Sequence, residues 1–261
     1  MLIDSHCHLD RLDLSPFQND FSHFVADANA HDIAHMLCVS ICLESYPDML
    51  DTVSGHDCIS VSVGVHPNEK NCREPTVEEL VALAAHPKVV AIGETGLDYF
   101  RSEGELGWQH ERFRKHIRAA RAANKPLIIH TREARADTLT ILREEGAAEV
   151  GGVLHCFTED WDTARQALDL NFHISFSGIV TFRNAAQIQD VARKVPDDRF
   201  LIETDSPYLA PIPHRGKPNY PQYVRHVAQF VADLRETSEE RIAESSTRNY
   251  HSLFSSRPAA G

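Results

Sequence analysis

Eight short apolar segments recur along this 261-residue chain, and helix-like patterns fill the gaps between them. They cover residues 1–5, 36–41, 59–65, 89–93, 127–130, 152–156, 172–176 and 200–204. Each is rich in Val, Ile, Leu or Phe and too short for a helix. Near-continuous apolar runs of this kind fit strands buried on both faces of a parallel sheet. The intervening stretch 108–123 sets Trp108, Phe113, Ile117 and Ala120 on one helical face with Arg and Lys opposite. Asn124 and Pro126 supply its stop signals. A helix over 76–85 follows Pro75 and carries Glu78 and Glu79 in its first turn, and Thr237-Ser238-Glu239-Glu240 opens a last one. Strand and helix alternating about eight times predicts an α/β fold, a TIM (β/α)8 barrel. A doubly wound open sheet is the alternative, but no Gly-rich fingerprint follows an early strand. No linker, repeat or low-complexity run divides the chain. The expectation is one domain over residues 1–254, followed by a disordered tail over 255–261.

Composition removes several function classes. Lys and Arg number 26 against 38 Asp and Glu, a formal charge of −12. That balance opposes a broad, non-specific grip on nucleic acid, which needs clustered cations. It leaves room for a local site that neutralises phosphate with metal ions. No apolar run approaches the length needed to span a bilayer. The N-terminus lacks a basic stretch followed by an apolar core, so no signal peptide is expected. The six cysteines show neither a CxxC pair nor a disulfide-framework spacing, which predicts reduced thiols in a cytoplasmic protein.

Sixteen histidines are the compositional oddity. Several stand where the predicted strands end. His6-Cys7-His8 closes the first, Glu94 the fourth, His130 the fifth, His155 the sixth and Asp205 the eighth. In a barrel, these ends share one rim, where active sites are built. Side chains at i and i+2 of a strand share a face, so His6 and His8 point inward together and Cys7 points away. Imidazole and carboxylate suit Zn²⁺ and Mn²⁺, and oxygen-richer coordination suits Mg²⁺. Four histidines and two carboxylates exceed what one catalytic ion takes. Two ions about 3.5–4 Å apart, sharing a carboxylate, would use them all. Glu94 is the natural bridge, and Asp205 could also take a proton from the attacking water. An HxH pair alone is weak, because such pairs arise by chance. The combination at five strand ends, in barrel order, is what points to a metal site. His66, before Pro67 on the same rim, is a candidate substrate or supporting group. His23, His31, His35, His56, His86, His110, His116, His226 and His251 fall on predicted helices or loops and are expected at the surface.

Several longer stretches carry a resemblance. Asp4-Ser5-His6-Cys7-His8, Gly64-Val65-His66-Pro67, Gly93-Glu94-Thr95-Gly96-Leu97-Asp98-Tyr99, His130-Thr131-Arg132, His155-Cys156-Phe157 and Glu203-Thr204-Asp205-Ser206-Pro207-Tyr208 resemble the TatD family of metal-dependent hydrolases. The match runs in order to about Phe254, through a closing motif at Arg215-Gly216-Lys217-Pro218-Asn219. The resemblance implies an amidohydrolase-type barrel with two divalent ions and phosphodiester hydrolysis. The activity it implies is Mg²⁺-dependent deoxyribonuclease action, often from the 3′ end of single strands. Carried over by position, His6, His8 and Asp205 would hold one ion, His130 and His155 the other, and Glu94 would bridge them. One departure stands out: Thr158-Glu159 follows His155-Cys156-Phe157 where the family commonly has Ser-Gly. A glutamate facing the cavity there would weaken phosphate binding.

DNA or another phosphodiester is therefore the expected substrate, with no membrane association and no obligate protein partner. Arg132, Arg183, Arg215 and Lys217 follow rim strands and could hold phosphate. Tyr99, Phe100 and Tyr208 could stack on a base. Two rival classes remain open at this stage. One is hydrolysis of an amide, lactone or aminoacyl ester by the same ion pair. The other is a non-catalytic metal-binding protein.

Overall fold

The computed structural model describes residues 1–254, so the expected tail at 255–261 lies outside the described residues. Eight parallel strands form one sheet in chain order: β1 (Leu2–Cys7), β2 (Ile33–Cys38), β3 (Ile59–Val63), β4 (Val89–Asp98), β5 (Leu127–Arg132), β6 (Gly152–Leu154), β7 (Phe172–Phe176) and β8 (Phe200–Ile202). The sheet curls until its ends meet beyond β8. There Cys7 bridges Ser206, Asp205 N–H donates to His6 C=O at 2.9 Å, and His8 N–H donates to Ser206 C=O at 2.8 Å. The barrel predicted from the apolar spacing is the one that forms. Its outer layer is α1 (Phe21–Ala30), α2 (Tyr46–Val53), α3 (Val77–Ala84), α4 (Gly107–Ala123), α5 (Arg135–Glu144), α6 (Trp161–Asp169), α7 (Ala186–Lys194) and α8 (Val224–Leu234). A ninth helix, α9 (Glu239–Phe254), crosses the N-terminal end of the strands, where Asn249 Nδ2 donates to the carbonyls of Asp197 and Phe200, each at 2.9 Å.

Local chemistry sets the helix ends. Thr76 Oγ1 accepts the Glu79 N–H at 3.2 Å and starts α3. Asn124, left-handed at φ 50°, ends α4 as its position before Pro126 suggested. The apolar side chains divide into two bodies. The larger fills the space between the strands and the surrounding helices. The smaller lies inside the lower barrel, where Ile3, Leu37, Ile128 and Leu201 close against Tyr250, Leu253 and Phe254 of α9. No helix among the described residues is long and apolar enough to cross a membrane.

Three sequence expectations need correction. Arg112 and His116 of α4 are buried, not on a solvated face. Arg112 Nη1 donates to His66 C=O at 2.8 Å, and its guanidinium pairs with Glu74. His116 accepts the Val65 N–H at 3.0 Å and donates from Nδ1 to Arg112 C=O at 2.8 Å. A charged pattern on one helix does not reveal that a neighbouring loop will fold over it. His35 sits on β2, half-buried, with Nε2 2.8 Å from Ser60 Oγ. Cys42 and Cys72 are joined as a disulfide with Cα atoms 6.0 Å apart, and the other four cysteines are free. Their spacing hides the pair, because only the barrel brings the loops after β2 and β3 together.

Candidate metal centre

Placing six donor residues around one point requires local departures from regular strand geometry. On β1, Ile3 faces the inner cluster, and strict alternation from it would turn Cys7 inward. The pairing register shifts between Asp4 and Cys7, and this resets the phase. His6 and His8 then both face the carboxylate of Glu94, while Cys7 is buried among the outer core. β4 bends at two glycines. A Cβ on Gly93 (φ 144°) would lie 2.5 Å from Ile128 C=O, and one on Gly96 (φ 136°) would lie 2.0 Å from His130 C=O. Only glycine permits this approach of β4 to β5, which brings Glu94 and His130 together. Cys156 and Asp205 take left-handed φ values of 43° and 57°, which turns the chain out of β6 and β8 at the rim.

The result is a carboxylate with a different set of neighbours at each oxygen. Glu94 Oε2 lies 3.4 Å from His6 Nε2 and 3.8 Å from His8 Nε2. Asp205 Oδ1 completes that side, 3.6 and 3.4 Å from the same two nitrogens. Glu94 Oε1 faces the opposite side, 2.7 Å from His155 Nε2, 3.2 Å from His130 Nδ1 and 3.4 Å from His66 Nε2. His6, His8 and Asp205 form one compact donor group, and His66, Glu94 and His130 form another. All six residues proposed from the strand ends thus converge, and His66 joins them.

Neighbouring groups fix which nitrogen each ring presents. His8 Nδ1 donates to Val39 C=O at 3.0 Å, leaving Nε2 free to face the carboxylates. His130 Nε2 donates to Asp98 Oδ2 at 3.1 Å, leaving Nδ1 toward Glu94. Asp98 is oriented by Asn68 Nδ2 at 2.7 Å and by Arg101 N–H at 2.8 Å. Burial would raise its carboxyl pKa, but His130 and the Arg101 N–H outweigh that and hold it well below the ordinary range. Glu203 Oε1 accepts the Cys156 N–H at 2.6 Å and lies 3.3 Å from His155 Nδ1. Asp98 and Glu203 received no role from the sequence. The alternation that pairs His6 with His8 also pairs Glu203 with Asp205, and that was the available signal.

The electrostatics are those of a site short of positive charge. Burial alone would raise the Glu94 pKa; the surrounding imidazoles of His155, His66 and His130 overcome it and keep the group ionised. Asp205 is likewise held down, against burial, chiefly by His8 and His6. Both ring nitrogens of His6 and of His155, and Glu203 Oε2, are buried without a hydrogen-bond partner. Native interiors rarely leave such atoms unmatched. Unpaired imidazole nitrogens around shared carboxylate oxygens are a donor set that fits divalent cations.

A cavity of about 1000 Å³ opens above these groups and carries Arg132 and His66 in its wall. Tyr208 also lines it and is exposed. The other proposed contacts lie elsewhere. Tyr99 gives its hydroxyl to Asp137 at 2.6 Å and lies 2.6 Å from His110 Nε2. Arg215 stacks over Phe182, 4.3 Å from the ring centre, and Arg183 is exposed outside the cavity wall.

A parallel barrel that gathers imidazoles and carboxylates at its C-terminal rim, beneath an open cavity, defines a metal-dependent hydrolase. The chain belongs to the TatD-related DNase family, whose model matches residues 3–255. It is 53% identical over 254 residues to the metal-dependent hydrolase YcfH of Escherichia coli K12, covering 97% of this chain and 95% of that protein. It is 30% identical over 246 residues to the 3′-5′ ssDNA/RNA exonuclease TatD of Citrobacter koseri, covering 92% and 95%. Among solved structures, YjjV, a TatD homolog from E. coli K12, superposes with a TM-score of 0.89 at 26% identity over 98% of both chains.

Proposed function

We propose that this chain is a two-metal phosphodiesterase that removes nucleotides from the 3′ ends of single-stranded DNA. The observation that carries the reading is the division of Glu94, one oxygen toward His6, His8 and Asp205 and the other toward His130, His155 and His66. In this reading His6, His8 and Asp205 would hold one divalent ion and His130 and His155 a second, with Glu94 shared between them. When bound, Mg²⁺, Mn²⁺ or Zn²⁺ ions supply water activation at neutral pH and neutralise charge on the phosphoryl oxygens. Asp205 takes the proton from the attacking water. Its side chain is 13% exposed where that of Glu94 is 3%, so of the two donor carboxylates it is the one more open to the cavity. Arg132 binds a phosphoryl oxygen with its fork of donors. Its guanidinium lies 3.9 Å from the Phe100 ring centre, which sets its direction. His130 keeps a fixed orientation through Asp98, and His66 through the Asn68 N–H, which donates to its Nδ1 at 3.0 Å.

The 3′-end preference is supported by the name of the Citrobacter relative. The reading includes one domain over residues 1–254 and a cytoplasmic location. The disulfide counts against that location, since cytosolic thiols are kept reduced; cell fractionation with alkylation of Cys42 and Cys72 tests it.

The principal experiment digests 3′- and 5′-labelled single-stranded DNA with metal-stripped protein refilled with each ion. Stepwise, metal-dependent shortening from the 3′ end, absent in His130→Ala, is the expected outcome. Protein that holds two metals and cleaves no phosphodiester would move the substrate to an amide, lactone or aminoacyl ester. Asp205→Asn is expected to cut turnover by about 10²–10⁴-fold while the fold stays intact, and near-normal turnover would remove its assigned role.

A further inference from the structure

We propose that Glu159 is a specificity-determining residue that excludes phosphates from the β6 side of the cavity and directs this site to very short oligonucleotides. The proposal rests on the phosphodiesterase reading and adds which substrates the mouth admits.

Glu159 lies on the loop that leaves β6 just beyond His155, and its side chain lines the cavity while only 14% exposed. Among the described residues its one ion pair is a long one, 3.9 Å to Arg135 Nη1. That same nitrogen lies 2.6 Å from Asp160 Oδ2, and Asp160 is fixed in place by capping α6 through the Thr163 N–H at 2.9 Å. The guanidinium is therefore committed to Asp160, and the Glu159 carboxylate faces the cavity largely uncompensated. Burial raises its pKa, Asp160 and Glu133 add to the rise, and Arg135 opposes it. Glu133, left-handed at φ 54°, lines the same part of the wall.

Outside the metal-facing groups, the cavity wall carries Arg11, Arg101 and Arg132 against Glu69, Glu133 and Glu159. Proteins that track a single strand do so along a groove with a positive excess. This mouth has none, on a chain of formal charge −12. One phosphate at the metal centre is satisfied by the ions and Arg132. A further phosphate crossing the β5–β6 side meets two carboxylates, and like charges brought together there oppose binding.

The test measures kcat/KM for single-stranded oligothymidylates of two, four, eight and sixteen nucleotides, using the Mn²⁺-loaded enzyme. Wild type is expected to favour the dinucleotide. Glu159→Gln should raise the sixteen-to-two ratio at least about tenfold, and Glu159→Gly should do the same. Added salt should narrow the difference, because screening weakens repulsion. Glu111→Gln, an exposed carboxylate on the outer face of α4, should leave the ratio unchanged. Circular dichroism confirms that each variant is folded. A ratio unmoved in both Glu159 variants, or a wild type that gains from every added phosphate, overturns the selector and leaves the phosphodiesterase reading standing. No turnover of any length by wild type overturns the phosphodiesterase reading, and the selector with it.

Discussion

The two ends of the barrel are built by opposite rules. At the N-terminal end, Ile3, Leu37, Ile128 and Leu201 pack against Tyr250, Leu253 and Phe254, and stability comes from excluding water. At the C-terminal end, His6, Glu94, His155 and Glu203 are as deeply buried, yet the ring nitrogens of His6 and His155 and one oxygen of Glu203 have no hydrogen-bond partner. Burial of unmatched polar groups destabilises a fold. The lower barrel and the helical layer offset that cost. One end of the sheet therefore carries the fold, and the other carries the chemistry.

Damage to each end therefore has a different signature. The largest effect is expected for Glu94→Gln. It should release metal from both positions and lower turnover by about a thousandfold, the equivalent of several kcal/mol, with little change in thermal midpoint. Metal analysis beside a phosphodiesterase assay checks this, and retention of two ions would break the bridge. Leu253→Ala should behave in the opposite way. It should cost about 2–5 kcal/mol of stability while activity per folded molecule holds, as measured by denaturant unfolding with an active-site assay. A loss of activity without a loss of stability would erase the contrast between the ends.

A pH titration sharpens the comparison, because His116 is a buried imidazole in the helical layer that contacts the Val65 backbone rather than any donor side chain. Burial pushes its pKa down to about 4 from 6.5. A base with a lowered folded pKa contributes stability above its unfolded value and loses it as pH falls. Between about pH 6.5 and 4 the native state should therefore lose up to about 3 kcal/mol through this group. His116→Gln should flatten that part of the unfolding profile, and an unchanged slope would refute the assignment. The smallest effect is expected for Asp98→Asn. It should weaken metal affinity about 10–100-fold by loosening His130, read by competition with a chelator.

The chain was most legible where a side chain's role follows from a strand's end. His6, His8, Glu94, His130, His155 and Asp205 were all placed on one rim by position alone, and the resemblance of the flanking motifs agreed. Strand lengths were less legible. β6 ends at Leu154 and β8 at Ile202, short of the apolar segments, because the following residues turn out of the ladder to reach the site. Arg112 and His116 read as solvated charges because nothing in α4 encodes the loop over 65–74 that covers them. Cys42 and Cys72 were invisible for the same reason: their proximity belongs to the barrel, and neither local spacing nor composition contains it. Glu159 stands out in the sequence as a departure from the family pattern, but its place in the cavity wall and its weak partner belong to the fold.

The closure beyond β8 carries a consequence for how the protein comes into being. Asp205 N–H meets His6 C=O, and His8 N–H meets Ser206 C=O, so the seam of the barrel runs through the site itself. His6 and His8 precede Asp205 and Ser206 in the chain, so one side of the seam is made long before the other. A nascent chain that stops before Asp205 therefore lacks both the seam and one wall of the donor cluster. Assembly of the cluster is in this way tied to closure of the barrel, because a chain cut before Asp205 lacks that carboxylate and the seam that sets it beside His6 and His8.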